Sequence, residues 1–231
     1  MPTSRAFGVS GNRILDRLPS ADRLRLEAAS ELIPLAVGDV LHDFEAVVRT
    51  VVFPCRGLVA LFARVPERRG IGVGFVRADG VVSVAADVPT GRSPLKAIVL
   101  RAGEGRRIEI AAYGRLLKTS PTLALAVAAY GAETETQLAQ NIACNAFHSA
   151  RQRIARWVLD ASGSDSHDVL MATQSSIADS LGLQRPAVSR VTSAFRREGL
   201  LSYVRGRVTV SDRRALRAVA CTCSSVTTRS V

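Results

Sequence analysis

Residues 173–197 read TQSSIADSLGLQRPAVSRVTSAFRR, and this stretch decides how the C-terminal part of the chain is built. Apolar residues recur four positions apart in its first part, which is typical of one face of a short helix. Gly182 follows where a left-handed residue ends a helix, a conformation that glycine adopts without a Cβ clash. Pro186 falls in the first turn of a second helix, where a missing N–H does no harm. The stretch therefore predicts two helices, at about 174–181 and 185–197, joined by a tight turn.

The second predicted helix has one apolar face and one basic face. At 100° per residue, Val188, Val191 and Phe195 fall together on the apolar face. The opposite face combines four arginines with three small or hydroxyl-bearing residues and no acid: Arg185, Pro186, Ser189, Arg190, Ser193, Arg196 and Arg197. A helix in the major groove needs such an uncluttered face, and arginine can pair with guanine O6 and N7 there. A solvated basic face is the alternative, but it would usually include Glu or Asp, so the pattern favours a helix that reads DNA.

A basic hairpin is predicted directly after this helix. Residues 200–204 and 207–210 are strand-like and flank an Arg-Gly turn, which sets Arg205 and Arg207 at the tip. Such a wing would contact phosphates and add affinity without sequence information. A hairpin that only closes the small core is compatible with this role. The predicted DNA-binding residues are Thr173, Arg185, Pro186, Ser189, Arg190, Ser193, Arg205 and Arg207.

The charge of the chain agrees with a polyanionic partner. The 231 residues contain 31 Lys and Arg against 20 Asp and Glu, a net charge of +11. Residues 146–231 carry 13 of the arginines against 6 acidic residues, which gives +7 of this total. Charge alone is equally compatible with a basic protein that binds no nucleic acid. No apolar stretch is long enough for a membrane span and no secretory signal is visible, so a cytoplasmic protein without a membrane partner is expected.

The part of the chain before residue 113 has a different pattern. An amphipathic helix is predicted at 20–30, with Ser20 as its cap. From 31 to 112 short apolar runs rich in β-branched residues alternate with turn residues, at 47–48, 51–53, 58–62, 71–76, 81–84 and 97–100. Gly103-Glu104-Gly105 belongs to the predicted turns. Many short strands at this spacing predict an antiparallel sandwich or barrel.

A long helix is predicted between these two parts, from Pro121 to Phe147. One stripe of it recurs at three- and four-residue steps: Leu123, Val127, Tyr130, Thr134, Leu138 and Ile142. The stripe could rest on the chain's own β domain or pair with a second copy. The length of the helix, about 40 Å at 1.5 Å per residue, favours the dimer seam.

Together these segments resemble the Crp/Fnr family of bacterial transcription regulators. The resemblance is carried by residues 151–157, Thr173-Gln174, Leu181-Gly182, the run RPAVSR at 185–190, and EGLL at 198–201. Upstream, Gly38-Asp39-Val40-Leu41, Val52-Phe53-Pro54, Gly57-Leu58-Val59 and Val73-Gly74 are similar to the family's cyclic-nucleotide-binding-like β-roll.

The resemblance implies an α+β fold. An N-terminal antiparallel, jelly-roll-like β-roll would span 1–115, a long dimerisation helix 116–148, and a winged helix-turn-helix 149–231. It also implies a homodimer on a near-palindromic site in double-stranded DNA, an unknown small-molecule effector, and RNA polymerase as a further candidate partner.

Two single residues acquire roles from the resemblance. Arg185 and Arg190 match the family's base-reading arginines. Pro186 departs from the pattern, because many members have there a glutamate that can accept a hydrogen bond from cytosine N4, which proline cannot do.

The sequence offers no convincing cofactor set. The region 73–100 contains Asp79-Gly80 and Gly91-Arg92-Ser93 but no Gly-Glu before the Arg-Ser pair, so it disfavours a cyclic nucleotide. The first 50 residues contain no cysteine, which excludes an N-terminal iron–sulfur centre. No cofactor is therefore predicted.

Metal and enzyme chemistry are disfavoured as well. Cys221 and Cys223 could chelate, but Cys55 and Cys144 would complete a four-ligand set only if folding brought them together, so inert or surface thiols are favoured. The histidines at 42, 148 and 167 are isolated in sequence. We therefore expect no metal site and no enzyme. A metal-dependent, cupin-like β-roll enzyme with an incidental basic tail is the alternative hypothesis.

Overall fold

The computed structural model describes residues 10–66, 70–82, 91–162 and 169–223. The helices are α1 (Arg13–Asp16), α2 (Ser20–Ala28), α3 (Ile110–Thr119), α4 (Pro121–Phe147), α5 (Ala150–Ala161), α6 (Gln174–Leu181), α7 (Arg185–Arg197) and α8 (Arg213–Val219). The strands are β1 (Ser30–Leu35), β2 (Val40–His42), β3 (Thr50–Pro54), β4 (Leu58–Ala63), β5 (Ile71–Val76), β6 (Leu95–Arg101), β7 (Gly103–Glu109), β8 (Leu170–Met171), β9 (Leu201–Val204) and β10 (Arg207–Val210).

These strands form three sheets. One has the order β1-β7-β3, a second β2-β6-β4-β5, and a small C-terminal sheet β8-β10-β9. The pairs β1/β7, β3/β7 and β2/β6 are antiparallel, as are both pairs of the small sheet. The prediction of an α+β chain with an N-terminal antiparallel β structure, a long helix and a C-terminal helix-turn-helix is confirmed.

Strand β7 contradicts the predicted turn at Gly103-Glu104-Gly105. In the structure Gly103 pairs with Leu35 and Gly105 with Ile33 in the β1/β7 ladder. A Cβ at Gly103 would lie 2.3 Å from the backbone oxygen of Arg56. The glycine is there because another backbone segment passes close by, and glycine in a strand often marks such an approach. Helix α3 was also not predicted.

The chain divides by its internal contacts into two compact units. The first comprises Met1–Val59 and Val76–Ala132, and the second comprises Ala60–Phe75 and Glu133–Val231. These limits differ from 115 and 148, and the three predicted domains stay a prediction.

The first unit is organised around a buried asparagine and an aromatic pair. The Nδ2 atom of Asn12 donates hydrogen bonds to the carbonyl oxygens of Pro54 and Gly80, both at 2.8 Å. Phe53 and Tyr113 are both fully buried and meet edge to face, with ring centroids 6.0 Å apart. Buried polar groups are stable when they are hydrogen-bonded, so Asn12 fixes the N-terminal segment against the sheet strands.

Helix α4 begins at a side-chain cap. The Oγ atom of Ser120 accepts from the N–H of Leu123 at 3.2 Å and donates to the Asp22 carboxylate at 2.6 Å, and Pro121 follows as the first helical residue. The predicted start and end of this helix, Pro121 and Phe147, are confirmed. No helix in the described part of the chain is long and apolar enough to cross a membrane.

Most residues of the predicted α4 dimer seam are covered by other residues of the same chain. Leu123, Val127 and Tyr130 are buried, and Thr134 and Leu138 are half-buried. Only Ile142 is well exposed, at 72%. The first half of the stripe therefore packs on the chain itself, which was the alternative reading of the pattern, because its large side chains fill the core of their own unit.

A different stripe of α4 is exposed. It is uncharged apart from the exposed Glu135, and its other members recur mostly at steps of three or four residues: Leu125, Ala128, Ala129, Ala132, Thr136, Ala139, Ile142 and Ala146. We call these residues the exposed α4 face. Its leucine is 72% exposed. The heptad-like spacing is that of a face which meets another helix.

Candidate nucleic-acid interface

Helix α5 is the support on which the two helices of the motif rest. It begins with a capping box, in which Ser149 Oγ accepts from the N–H of Gln152 and the Gln152 side chain binds back to Ser149. Ile154, Ala155 and Val158 are fully buried, and α5 packs against α6, α7 and α8.

Two arginines of α5 fix the ends of the motif. Arg153 donates to the carbonyl oxygen of Leu181 at the end of α6. Arg151 lies over the ring of Phe195 in α7, with 4.7 Å between its guanidinium carbon and the ring centroid. These contacts hold α6 and α7 to one rigid helix, which a recognition surface requires.

Helix α6 has the limits that the sequence predicts. Thr173 is its N-cap, and its Oγ1 accepts from the N–H of Ser176 at 3.0 Å. Gly182 ends the helix with φ of 61°, in the left-handed region where the sequence places it. The N–H of Leu183 then bonds to the carbonyl oxygen of Ala178 at 3.0 Å. The turn is therefore built from a side-chain cap at one end and a glycine at the other.

Helix α7 turns an apolar face inward, with one difference from the prediction. Val188 and Phe195 are fully buried, as predicted, but Val191 is only half-buried. Thr192 takes the remaining buried position, and its hydroxyl donates to the carbonyl oxygen of Val188 at 2.9 Å. A hydroxyl that bonds to its own helix can be buried at low cost, which a pattern of apolar residues does not reveal.

The outer face of α7 is exposed. Arg185, Pro186 and Arg190 are exposed in the single chain, and Ser189 and Ser193 are half-buried. The acid that follows α7, Glu198, accepts a 2.5 Å hydrogen bond from Arg151. That bond lowers the pKa of Glu198, so the carboxylate is ionised and held by α5. The face is basic and free of acidic groups, as the sequence predicts.

The predicted wing is a hairpin with a two-residue turn. Val204 pairs with Arg207, and Arg205 and Gly206 between them have φ of 48° and 79°. The hairpin is attached to the motif by the Tyr203 hydroxyl, which donates to the carbonyl oxygen of Ala172 at 3.1 Å. Arg205 and Arg207 are both exposed.

A concave surface of about 350 Å³ lies between the wing and the two helix starts. It is lined by Thr173, Gln174, Ser175, Arg185, Tyr203, Arg205 and Gly206. Three of the eight predicted residues meet here, whereas Pro186, Ser189, Arg190, Ser193 and Arg207 do not line it. Two guanidinium groups beside the N-terminus of α6 form an arrangement suited to a phosphate.

Four residues of this surface were not among the predicted site residues: Gln174, Ser175, Tyr203 and Gly206. Gln174 and Ser175 lie in the first turn of α6. Polar residues at the start of the first helix of a helix-turn-helix are a sequence signal that could have identified them. Tyr203 carries no such signal in the sequence. Burial raises the pKa of its phenol, so the hydroxyl stays protonated as a donor.

Arg92 and Ser93, which resemble part of a cyclic-nucleotide-binding cassette, donate hydrogen bonds to carbonyl oxygens of the chain itself. The Nη1 atom of Arg92 donates to the carbonyl oxygen of Glu45 at 2.6 Å, and the Ser93 hydroxyl donates to that of Leu95 at 2.6 Å. The carbonyl oxygen of Gly80 accepts from Asn12. The region compared with the cassette, residues 73–100, also includes residues 83–90, which lie outside the described part of the chain.

The expectation for the cysteines was inert or surface thiols, and the structure buries all four of them. Cys144, Cys221 and Cys223 are all buried, together in the second unit. His148, which is isolated in sequence, has its Nδ1 atom 3.6 Å from the Sγ atom of Cys223. Cys55 is buried in the first unit and does not belong to this group. Folding therefore brings Cys144 and His148 to Cys221 and Cys223, whereas Cys55, the other ligand that the sequence offered, is not part of this group.

Comparison with known proteins identifies the C-terminal part. The sequence profile of the Crp-like helix-turn-helix domain matches residues 152–219. No curated protein matches the chain.

Solved structures with the same fold cover most of the chain. One is described as a transcriptional regulator of the Crp/Fnr family from Eubacterium rectale, with 18% identity, TM-score 0.69, and coverage of 90% of this chain and 98% of the other. The c-di-GMP responsive global regulator CLP of Xanthomonas campestris has 16% identity, TM-score 0.68, and coverage of 84% and 100%. A Crp/Fnr transcriptional regulator of Thermus thermophilus has 21% identity, TM-score 0.65, and coverage of 82% and 98%.

The domain match and the fold agree with the basic α7 face, the wing and the β structure described above. The Crp-like helix-turn-helix match gives the basic C-terminal part a function of its own, which favours the regulator hypothesis over the cupin-like enzyme hypothesis. The chain therefore carries a Crp-like helix-turn-helix domain at residues 152–219, and over most of its length it has the fold of solved Crp/Fnr regulators.

Proposed function

We propose that the protein binds specific sites in double-stranded DNA by placing α7 in the major groove. The observation that carries this proposal is the outer face of α7, which is exposed, basic and free of acidic residues. A helix of 13 residues with arginines at its N-terminal end has the shape and the donors that base edges in the groove require. A helix that is only solvated does not need an acid-free face with arginines at its N-terminal end.

Within this interface we assign different roles to the arginines. Arg185 and Arg190 are the base-reading residues, and each can donate two hydrogen bonds to a guanine. Ser189 and Ser193 lie on the same face of α7 and leave room for the base edges. Pro186 offers no acceptor, so it contacts bases by its apolar ring alone.

The concave surface beside α7 is proposed as the phosphate site. Thr173 at the start of α6 and Arg205 at the tip of the wing both line this surface, and Arg207 of the wing is proposed to contact phosphate outside it. Contacts of this kind set the register of the protein on the duplex and make binding sensitive to salt.

The functional species is proposed to be a homodimer. The exposed α4 face takes the place of the seam predicted from the sequence, because the large residues of that seam are buried in their own chain. Alanine and threonine at most positions of this face let two helices approach closely, with Leu125 and Ile142 as the larger contacts. Two copies related by a twofold axis would read a near-palindromic operator, with half-sites about 34 Å apart.

The N-terminal β structure is proposed to bind a small-molecule effector. Effector binding would change the relative population of two arrangements of the recognition helices, which requires different affinity for the two states. The effector is not assigned, and a cyclic nucleotide stays disfavoured. The c-di-GMP response that is described for the Xanthomonas regulator is a property of that protein and is not assigned to this chain. RNA polymerase is a further proposed partner, and a chromosomal target places the regulator in the cytoplasm.

Selection of bound duplexes from a random pool tests the DNA proposal. The pool is incubated with the full-length protein, and bound fragments are recovered and sequenced over several rounds. We expect an inverted repeat with guanines in each half-site, at a spacing of about one helical turn. Recovery of sequences without a common motif, at an affinity equal to that for the starting pool, would contradict sequence-specific binding.

A further inference from the structure

Four metal-binding side chains meet in the second unit, outside the DNA-binding surface. Cys144 lies in the last turn of α4 and His148 directly after this helix, while Cys221 and Cys223 follow α8. One potential ligand atom from each of the four residues lies within 4.8 Å of all the others. The residues come from positions up to 79 apart in the chain, so the fold alone brings them together.

The distances within this cluster are those of ligands around one ion. The Sγ atoms of Cys144 and Cys221 are 3.5 Å apart, and Cys223 Sγ is 3.6 Å from His148 Nδ1. With Zn–S near 2.3 Å and Zn–N near 2.05 Å, a tetrahedron places two sulfurs about 3.8 Å apart and a sulfur and a nitrogen about 3.6 Å apart. Small adjustments of the side chains would close the tetrahedron.

We propose that Cys144, His148, Cys221 and Cys223 bind one Zn²⁺ ion. Three thiolates and one imidazole are a set that zinc takes in structural sites, and four protein ligands leave no position for water. The site would therefore be structural, and it goes beyond the proposed regulation of DNA. A multi-iron cluster fits less well, because its inorganic core separates its cysteine sulfurs more widely than a single ion does.

The charges around the cluster suit a zinc–thiolate centre. Three thiolates and one divalent ion carry a net charge of −1, which burial penalises unless a cation is near. Arg153 and Arg156 of α5 interact electrostatically with both Cys144 and Cys221. Among the described residues, Arg153 Nε and Arg156 Nη1 are buried without a hydrogen-bond partner. These two N–H groups are available to the sulfurs as an outer shell, which metal sites commonly have.

A bound ion would connect the two ends of the C-terminal unit. The ligands on the α4 side precede α5, and the ligands on the α8 side follow the wing, so the ion closes a loop that contains α5, α6 and α7. Because the ligands are not assembled in the unfolded chain, metal binding adds to the stability of the folded state. Zinc would thus hold the helix-turn-helix to the end of the long helix.

Metal content and cobalt substitution of the full-length protein test this assignment. The wild type, purified under reducing conditions, is expected to contain one zinc per chain by mass spectrometry of the metal. After removal of zinc by a chelator, Co²⁺ should give the intense visible bands of a tetrahedral site and a thiolate charge-transfer band. Zinc should displace the cobalt and remove these bands.

Matched substitutions locate the site. Cys144→Ser and Cys223→Ser should each lose the cobalt bands, while Cys55→Ser, which changes a buried cysteine outside the cluster, should keep them. Circular dichroism checks that each variant is folded, and the wild-type cobalt titration is informative even if a cluster variant does not fold.

Three results would overturn the proposal. The first is a reduced wild-type protein that binds neither Zn²⁺ nor Co²⁺ and whose cysteines all react as free thiols after denaturation. The second is a Cys144–Cys221 disulfide, or iron with acid-labile sulfide, in the protein purified without chelator. The third is a tetrahedral cobalt spectrum that survives both cluster substitutions.

Discussion

Arg205 and Gly206 both adopt a left-handed backbone conformation, with φ of 48° and 79°, and form the turn between β9 and β10. A two-residue hairpin turn of type I′ needs positive φ at both central positions, where glycine and asparagine are favoured. Arginine at such a position is strained by roughly 1 kcal/mol, since its Cβ approaches the following carbonyl oxygen. The turn would be more stable with another residue, so the arginine indicates a role for its charge.

Substitution of Arg205 should therefore separate stability from DNA binding. We expect Arg205→Gly to keep or raise the free energy of unfolding by up to about 1 kcal/mol, because the strain is removed. The same variant should bind all duplexes more weakly and reduce the salt slope by about 1, because one phosphate contact is lost. Urea unfolding and fluorescence anisotropy at several salt concentrations measure the two effects. An unchanged salt slope would show that Arg205 in the wing does not contact a phosphate.

Thr173 caps α6 and also lines the concave surface, so its two roles need different substitutions. Thr173→Ala should lower the free energy of unfolding by about 1 kcal/mol, because the N–H of Ser176 loses its partner. Thr173→Ser keeps the hydroxyl and should retain most of this stability. Chemical denaturation of both variants checks the difference. Equal stability of the alanine and serine variants would show that the cap does not contribute.

The exposed α4 face predicts how the chain dimerises. Leu125 and Ile142 are each 72% exposed in the single chain, so glutamate at both positions should leave the monomer folded. In a dimer the carboxylates would be buried without partners, which is strongly unfavourable. We expect the double variant to sediment as a monomer and to lose affinity for a palindromic duplex.

Val37→Glu is the matched control for this prediction, because Val37 is an exposed apolar residue of the first unit, at 47% exposure, outside α4. It should sediment as the wild type does. A double variant that stays dimeric would show that the dimer forms through another surface.

His42 gives the first unit a pH-dependent stability. Burial lowers the pKa of its imidazole, and within the described residues its Nε2 atom has no hydrogen-bond partner. Below about pH 6.5 the unfolded chain binds the proton more readily than the folded chain does, so stability falls as pH decreases.

His42→Leu should remove this component. The decrease in the free energy of unfolding between about pH 7 and about pH 5 is expected to be smaller in the variant than in the wild type. Urea unfolding at several pH values measures both slopes. Parallel curves for the two proteins would show that His42 does not titrate in this range.

The sequence predicted the elements that are fixed by local signals. The limits of α6 and α7 follow from Thr173, Gly182 and Pro186, which act within one turn of their own position. The hairpin follows equally from its Arg-Gly turn. Such signals depend on neighbours in sequence and need no knowledge of the rest of the fold.

Features that depend on distant contacts escaped the sequence analysis. Gly103 lies in a strand because the backbone of Arg56 passes beside it. The burial of Leu123 and Tyr130 in the single chain could not be predicted from the α4 stripe, because a helix stripe does not reveal whether its own chain or a second copy covers it. The sulfur–sulfur contact of Cys144 and Cys221 spans 77 residues, and only the fold creates it.

The affinity of Arg185→Ala and Arg190→Ala for a selected duplex tests the central claim most directly. Each variant should lose about 1–3 kcal/mol of binding free energy on that duplex and much less on a scrambled one. Arg217→Ala, which removes an exposed arginine of α8, should bind both duplexes nearly as the wild type does. Fluorescence anisotropy at one fixed salt concentration gives the affinities of all four proteins for both duplexes. If both α7 variants bind the selected duplex with wild-type affinity, α7 is not the helix that reads DNA.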